Sequence, residues 1–170
     1  MIRLCLQRYI DFAAALNHRI GAAVVYGVFL IMFILLWSVA ARIFATPSLW
    51  TLEGAQFALV GYYFLGGAYV MQQDGHVRVD LLYHRWSVRR KACFDALTSF
   101  CLLFYLGVMF YGGLDSLEYA LQYQERSASA WRPYLWPVKM LIIAGLGLML
   151  IQSLAWLARD LLLLLPRPVA

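Results

Sequence analysis

The sequence predicts an all-α membrane protein of four transmembrane helices, N-in/C-in, preceded by a short amphipathic N-terminal helix. Three observations carry that prediction. Of 170 residues, 64% are hydrophobic and only 14% charged, whereas soluble domains average about half apolar and about a quarter charged. The apolar excess is gathered into four blocks without a charged residue, Ile20 to Ala41, Gly54 to Gln73, Ala96 to Leu114 and Met140 to Ala158, each near the roughly 20 residues that cross a hydrocarbon core. The basic residues also fall mostly on one side of the resulting alternation. Backbone polar groups must be paired within lipid, so the blocks read as helices. A transmembrane β-barrel would need short alternating segments, and these runs are continuously apolar.

From Met1 to Asn17, Ile2, Cys5, Leu6, Tyr9, Ile10, Phe12, Ala13 and Leu16 recur at helical spacing while Arg3, Gln7 and Asp11 share the other face. That pattern predicts an interfacial helix over about 2–17. The first span follows over about 20–44, with Arg42 placed to snorkel and Thr46-Pro47-Ser48 ending it. The second, about 52–73, carries Gly54, Gly61, Gly66, Gly67 and Ala68, small residues that let helices approach closely in lipid, so it is expected to be the tightly packed member. After a cytoplasmic loop over 74–87, Ser87 can cap a third span over about 88–117. An outer loop over 118–136 leads to Pro137, which suits the first turn of a fourth span over about 137–163. The whole chain reads as one membrane domain.

Orientation follows from Lys and Arg. Ten of the fourteen lie in the N-terminal segment, the central loop with the start of the third helix, and the tail, while Arg42, Arg126, Arg132 and Lys139 lie on the opposite side. Both termini and the central loop are therefore expected in the cytoplasm. The net charge of +5 is explained by these anchors and needs no nucleic acid. Cys5, Cys93 and Cys101 have neither metal-site nor disulfide spacing. The first apolar block lacks a cleavage site before a soluble domain and reads as a retained helix.

Chemistry-bearing residues are few. An ionisable group deep in a membrane would be a functional candidate, but Asp95, Asp115, Glu118 and Lys139 all lie near helix ends, which argues against a self-sufficient exporter built on an embedded carboxylate. His18, His76 and His84 fall in cytoplasmic-side segments, so facing haem ligands are not expected. No nucleophile elbow, HExxH or phosphate loop is present. The chain is expected to be no enzyme and to hold no metal or cofactor.

What remains is the polar stretch from Asp74 to Lys91. Arg85, Arg89, Arg90 and Lys91 read as topology and lipid anchors. Three cations in a helix's first turn oppose its dipole by a few tenths to about 1 kcal/mol, but anionic lipid attracts each by about 1 kcal/mol. His76, Arg78 and Asp80 exceed what topology requires. Alternation with Val77 and Val79 puts them on one side of an extended segment, where Asp80 either pairs locally with Arg78 or His84 or makes a fixed polar contact with another membrane subunit. On the outer side, Glu118, Glu125, Arg126 and Arg132 form a mixed-charge patch suited to docking.

The run Gly66-Gly67-Ala68-Tyr69-Val70-Met71-Gln72-Gln73-Asp74-Gly75-His76-Val77-Arg78-Val79-Asp80 resembles the signature of the small membrane subunit, the DctQ-type or Q subunit, of tripartite ATP-independent periplasmic (TRAP) transporters. That family closes its second helix with a G-x-A-Y segment and opens the cytoplasmic loop with H-V-R-V-D. The resemblance extends to Trp136-Pro137-Val138-Lys139 and to Gln152, and covers nearly the whole chain. It implies a non-catalytic small permease subunit of the bacterial inner membrane. Such a subunit scaffolds a separate large membrane subunit that carries the sodium and substrate sites, while a periplasmic substrate-binding protein delivers a small organic acid. It also implies a structural or inter-subunit part for His76, Arg78 and Asp80. The alternative expectation is an autonomous small homo-oligomeric transporter or channel.

Overall fold

The computed structural model describes residues 2–44, 48–73 and 88–164, with side chains described over 6–44, 48–73 and 97–159. The described chain is helical: α1 (Ile2–Val25), α2 (Gly27–Ile43), α3 (Thr51–Gln72), α4 (Val88–Gln122) and α5 (Trp136–Leu164). Among the described residues the one extended pairing is an isolated bridge between Arg126 and Tyr134.

Among the described residues three helical stretches are long and apolar enough to cross a membrane: Leu6–Ile43, Leu97–Gln122 and Trp136–Arg159. The second predicted span, α3, is helical but less apolar, because Glu53, Gln56, Gln72, three tyrosines and four glycines interrupt its aliphatic run. Its position in the fold accounts for that composition. Thr51, Glu53, Ala55, Gly61, Ala68 and Met71 are buried, enclosed by helices on both sides.

The helical path is continuous across Asn17 to Ile20, and the interruption falls at Tyr26. There the Tyr26 amide donates to the Ala23 carbonyl at 3.2 Å and the Phe29 amide to the Tyr26 carbonyl at 3.1 Å, a turn tightened to i→i−3 bonding. The tightening leaves the path in register. Val24 lies beside Gly66 and Gly27 beside Tyr62, while Ser38 accepts from Thr51 at 3.1 Å. The second half of α1 and the whole of α2 therefore run as one antiparallel rod along α3.

Helix α5 lies on the other side of α3 and parallel to it, with Gly61 against Leu141, Phe64 against Gly145 and Gly67 against Met149. Helix α4 packs antiparallel on α5, where Gly113 meets Ile143, Gly147 meets Phe110, and Lys139 reaches the Ser116 carbonyl. The order is thus an open row, α2–α3–α5–α4, with the first half of α1 bridging from α3 onto α5. Such a row leaves broad apolar faces uncovered. On α2 only Ile34 is buried, and Phe29, Phe33, Leu36 and Trp37 are exposed, as are Phe100, Phe104, Val108 and Tyr111 on α4. The alternation of directions brings the start of α1, the end of α3, the start of α4 and the end of α5 to the same end of the row.

Close approach at the centre rests on one glycine. A Cβ at Gly145 would stand 2.5 Å from the backbone carbon and oxygen of Phe64, and backbone cannot yield as a side chain can. Gly145→Ala is expected to force α3 and α5 apart at a cost of about 1–3 kcal/mol, read as a lower unfolding temperature in detergent. At Gly112 a Cβ would meet nothing within 4 Å, so Gly112→Ala is expected to stay within about 0.5 kcal/mol of the parent.

Candidate functional site

Polar side chains gather at the two ends of the row. At the end formed by the starts of α3 and α5, Thr51 in the first turn of α3 accepts a bond from Ser48 at 2.9 Å and bonds Ser38 at 3.1 Å. Beside it Glu53 is buried, and its Oε1 accepts from Ser127 Oγ at 2.9 Å. That bond ties the hairpin between α4 and α5 to the start of α3.

The hairpin follows from local rules. Gln124 adopts φ 50°, and the next amide, of Glu125, donates back to the Ala120 carbonyl at 3.1 Å, which closes α4 in the manner of a Schellman turn. The two arms are joined by Ser127 N–H to Pro133 C=O at 2.9 Å and Leu135 N–H to Glu125 C=O at 3.1 Å. Arg132, at φ 51°, turns the chain into Pro133 with its amide donating to Ser129 Oγ at 3.2 Å.

The four residues of the outer patch divide within this framework. Glu125 Oε2 pairs with Lys139 Nζ at 2.6 Å, and the same ammonium donates to the Ser116 carbonyl at 3.1 Å. Arg126 stacks on the Tyr134 ring, 4.1 Å from its centroid, and donates to the Tyr134 hydroxyl. Glu118 accepts from Gln122 at 3.1 Å on the exposed side of α4. Arg132 alone of the four presents an exposed side chain that makes no ion pair or hydrogen bond among the described residues. Glu125 and Arg126 therefore hold the hairpin's own shape, while Glu118 and Arg132 remain the more available for another molecule.

At the opposite end, α1, α3 and α5 meet through neutral polar groups. Asn17 Nδ2 donates to Gln152 Oε1 at 2.7 Å in a fully enclosed position. Tyr9 donates to the Ile151 carbonyl at 3.1 Å, and Gln72 to the Ala14 carbonyl at 3.1 Å. The His18 and Tyr69 rings lie 5.8 Å apart. Asn17 Oδ1, Gln72 Oε1 and Ser153 Oγ are buried without a partner among the described residues. Gln152 stood out in the sequence through its resemblance. Gln72 lies within the resembling run as well. Asn17 and Ser153 did not stand out, although each is a polar residue at the margin or interior of an apolar block, which is the signal that could have found them.

His76, Arg78, Asp80 and Arg85 lie outside the described residues, as do the side chains of Arg89, Arg90 and Lys91, whose backbone stands in the first turn of α4. Among the described residues no group of three or more His, Cys, Asp or Glu could hold a metal ion. The interactions described are those of attachment: amide and hydroxyl bonds locking α1 to α5, and an ion pair and a stacked guanidinium shaping the hairpin.

Comparison with known proteins adds to this geometry. The family described as "Tripartite ATP-independent periplasmic transporters, DctQ component" matches residues 19–163, which include the hairpin between α4 and α5 and, at the other end, Gln72, Gln152 and Ser153. The chain is also similar to the isethionate TRAP transporter permease protein DctMQ of Oleidesulfovibrio alaskensis, at 26% identity over 114 residues. That match covers 67% of this chain and 18% of the relative, so the chain spans less than a fifth of that protein's length.

Removing either amide of the enclosed pair leaves the other buried without its partner. Asn17→Ala and Gln152→Ala are each expected to lower stability by about 1–2 kcal/mol. The double substitution is expected to lose less than the sum of the two, measured as unfolding free energies in mixed detergent.

Proposed function

This chain belongs to the DctQ component family of tripartite ATP-independent periplasmic transporters, and from that membership we propose that it is a non-catalytic small permease subunit. It sits in the bacterial inner membrane with four spans and both termini in the cytoplasm. There it scaffolds a large membrane subunit that carries the sodium and substrate sites and imports small organic acids delivered by a periplasmic binding protein.

The observation that carries the reading is the distribution of burial. Helices α2 and α4 expose apolar side chains along nearly all of their described length, a surface that lipid or another membrane protein must cover. The enclosed amide pair and the Glu53 and Glu125 carboxylates meanwhile lie toward the two ends and are engaged in internal contacts. A rigid, laterally exposed layer is suited to bracing a moving neighbour. The positive-inside count and the alternating helix directions support the orientation.

In liposomes, uptake of the substrate is expected only when this chain, the large subunit and the binding protein are present together under a sodium gradient. Transport by this chain alone would favour the autonomous homo-oligomeric transporter instead.

Within the proposed complex, His76, Arg78 and Asp80 contact the large subunit, Arg85, Arg89, Arg90 and Lys91 hold the loop at anionic lipid, and Glu118 and Arg132 meet the binding protein. One paired experiment separates contact from docking. Arg78→Ala is expected to reduce recovery of the large subunit in co-purification. Arg132→Glu is expected to leave that recovery intact and to lower binding-protein-dependent uptake several-fold at low salt. An intact complex with Arg78→Ala, or unchanged uptake with Arg132→Glu, would remove the corresponding assignment.

A further inference from the structure

The helix registers and the charge-free blocks, taken together, fix how the row must lie in a bilayer. Gly27 is beside Tyr62, Gly61 beside Leu141 and Gly113 beside Ile143, while Lys139 reaches the Ser116 carbonyl. These pairs place Val28, Gly61, Leu141 and Leu114 at about one height along the bundle.

Their distances from the outer limit of their own blocks are very different. Val28 stands 13 residues inside Ala41, Gly61 stands 7 inside Gly54, Leu141 stands 1 inside Met140, and Leu114 is itself the limit. The inner limits run the same way. Val28 is 8 residues from Ile20, Gly61 is 12 from Gln73, Leu141 is 17 from Ala158, and Leu114 is 18 from Ala96.

From α2 across to α4 the apolar blocks therefore slip toward the inner end, mostly between α2 and α5 and by a single residue from α5 to α4. The slip amounts to roughly 17 Å at about 1.5 Å per residue, over three helix spacings of about 9 Å each. An upright row cannot satisfy one slab of hydrocarbon. It would either submerge Asp115, Glu118 and Lys139 or lift Met32, Phe33, Leu36 and Val39, all exposed on α2, into water.

We propose that the row sits in the bilayer with its helices inclined about 30° within the plane of the row, within the range that spanning helices adopt, with lipid as the occupant of the exposed α2 flank. The inclination brings all four charge-free blocks to a common depth. Two exposed tryptophans agree with it. Trp50 lies four residues outside Gly54, and Trp136 four residues outside Met140. They differ in height along the bundle, yet they reach the same depth at the outer interface once the row leans. Depth in the membrane is then no longer height in the fold.

The inference rests on the four-span reading, and spin labels separate the two. Val28→Cys, Leu114→Cys and Phe104→Cys all lie on exposed apolar faces. Each is placed singly in the full chain, with Cys5, Cys93 and Cys101 replaced by Ser, and reconstituted in liposomes. Collision with oxygen is compared with collision with a water-soluble nickel complex. In an inclined row the labels at 28 and 104 are deep, and the oxygen-to-nickel ratio at both exceeds that at 114 several-fold. Equal ratios at 28 and 114, whatever the ratio at 104, describe an upright row and overturn the proposal. Ready access of the nickel complex to all three overturns the four-span reading itself and the inclination with it.

Discussion

The backbone contact between Gly145 on α5 and Phe64 on α3 is the constraint on which the rest of the structure depends. In lipid there is little hydrophobic gain in bringing two apolar helices together, so association relies on packing at short range and on a few polar bonds. A glycine against backbone provides the first. Every other helix is placed from this pair: the α1–α2 rod lies along the free side of α3, and α4 along the free side of α5. Because the packing is side by side, no enclosed central core forms. The layer that results is thin, and its apolar side chains face outward.

The polar bonds complete what packing begins, and their location matters. Asn17 with Gln152 and Gln72 with the Ala14 carbonyl fasten one end of the row. Ser38, Ser48, Thr51, Glu53 and Ser127 fasten the other. Neutral amides and hydroxyls can be enclosed at modest cost when paired, whereas a lone charge cannot. The middle of the row is left to glycines set against aliphatic and aromatic side chains.

Much of the candidate site was legible in the sequence as residue type and place, and less of it as interaction. The mixed charge of Glu118, Glu125, Arg126 and Arg132 was visible as a patch. It could not be divided until the hairpin brought Glu125 to Lys139 and Arg126 to Tyr134. Those partners are separated by fourteen and eight residues and meet only because Gln124 and Arg132 take positive φ, which no local propensity of these residue types announces. Asn17 and Gln152 lie 135 residues apart, and spacing alone could not pair them.

By itself the sequence determined the all-helical class and the membrane setting, because these depend on composition and on runs of neighbouring residues. The H-V-R-V-D stretch and its flanks likewise pointed to the family from residue identity alone. Only the tertiary structure decided that the helices form an open row, that the helical path is interrupted at Tyr26 and not between the amphipathic start and the first apolar block, and that the apolar blocks are staggered from helix to helix. The physical reason is common to all three. Lipid offers every apolar face nearly the same environment, so hydropathy fixes which segments enter the membrane but not which faces meet or in what register. Those are settled by short-range fit at residues such as Gly145 and by paired amides that find each other across the chain.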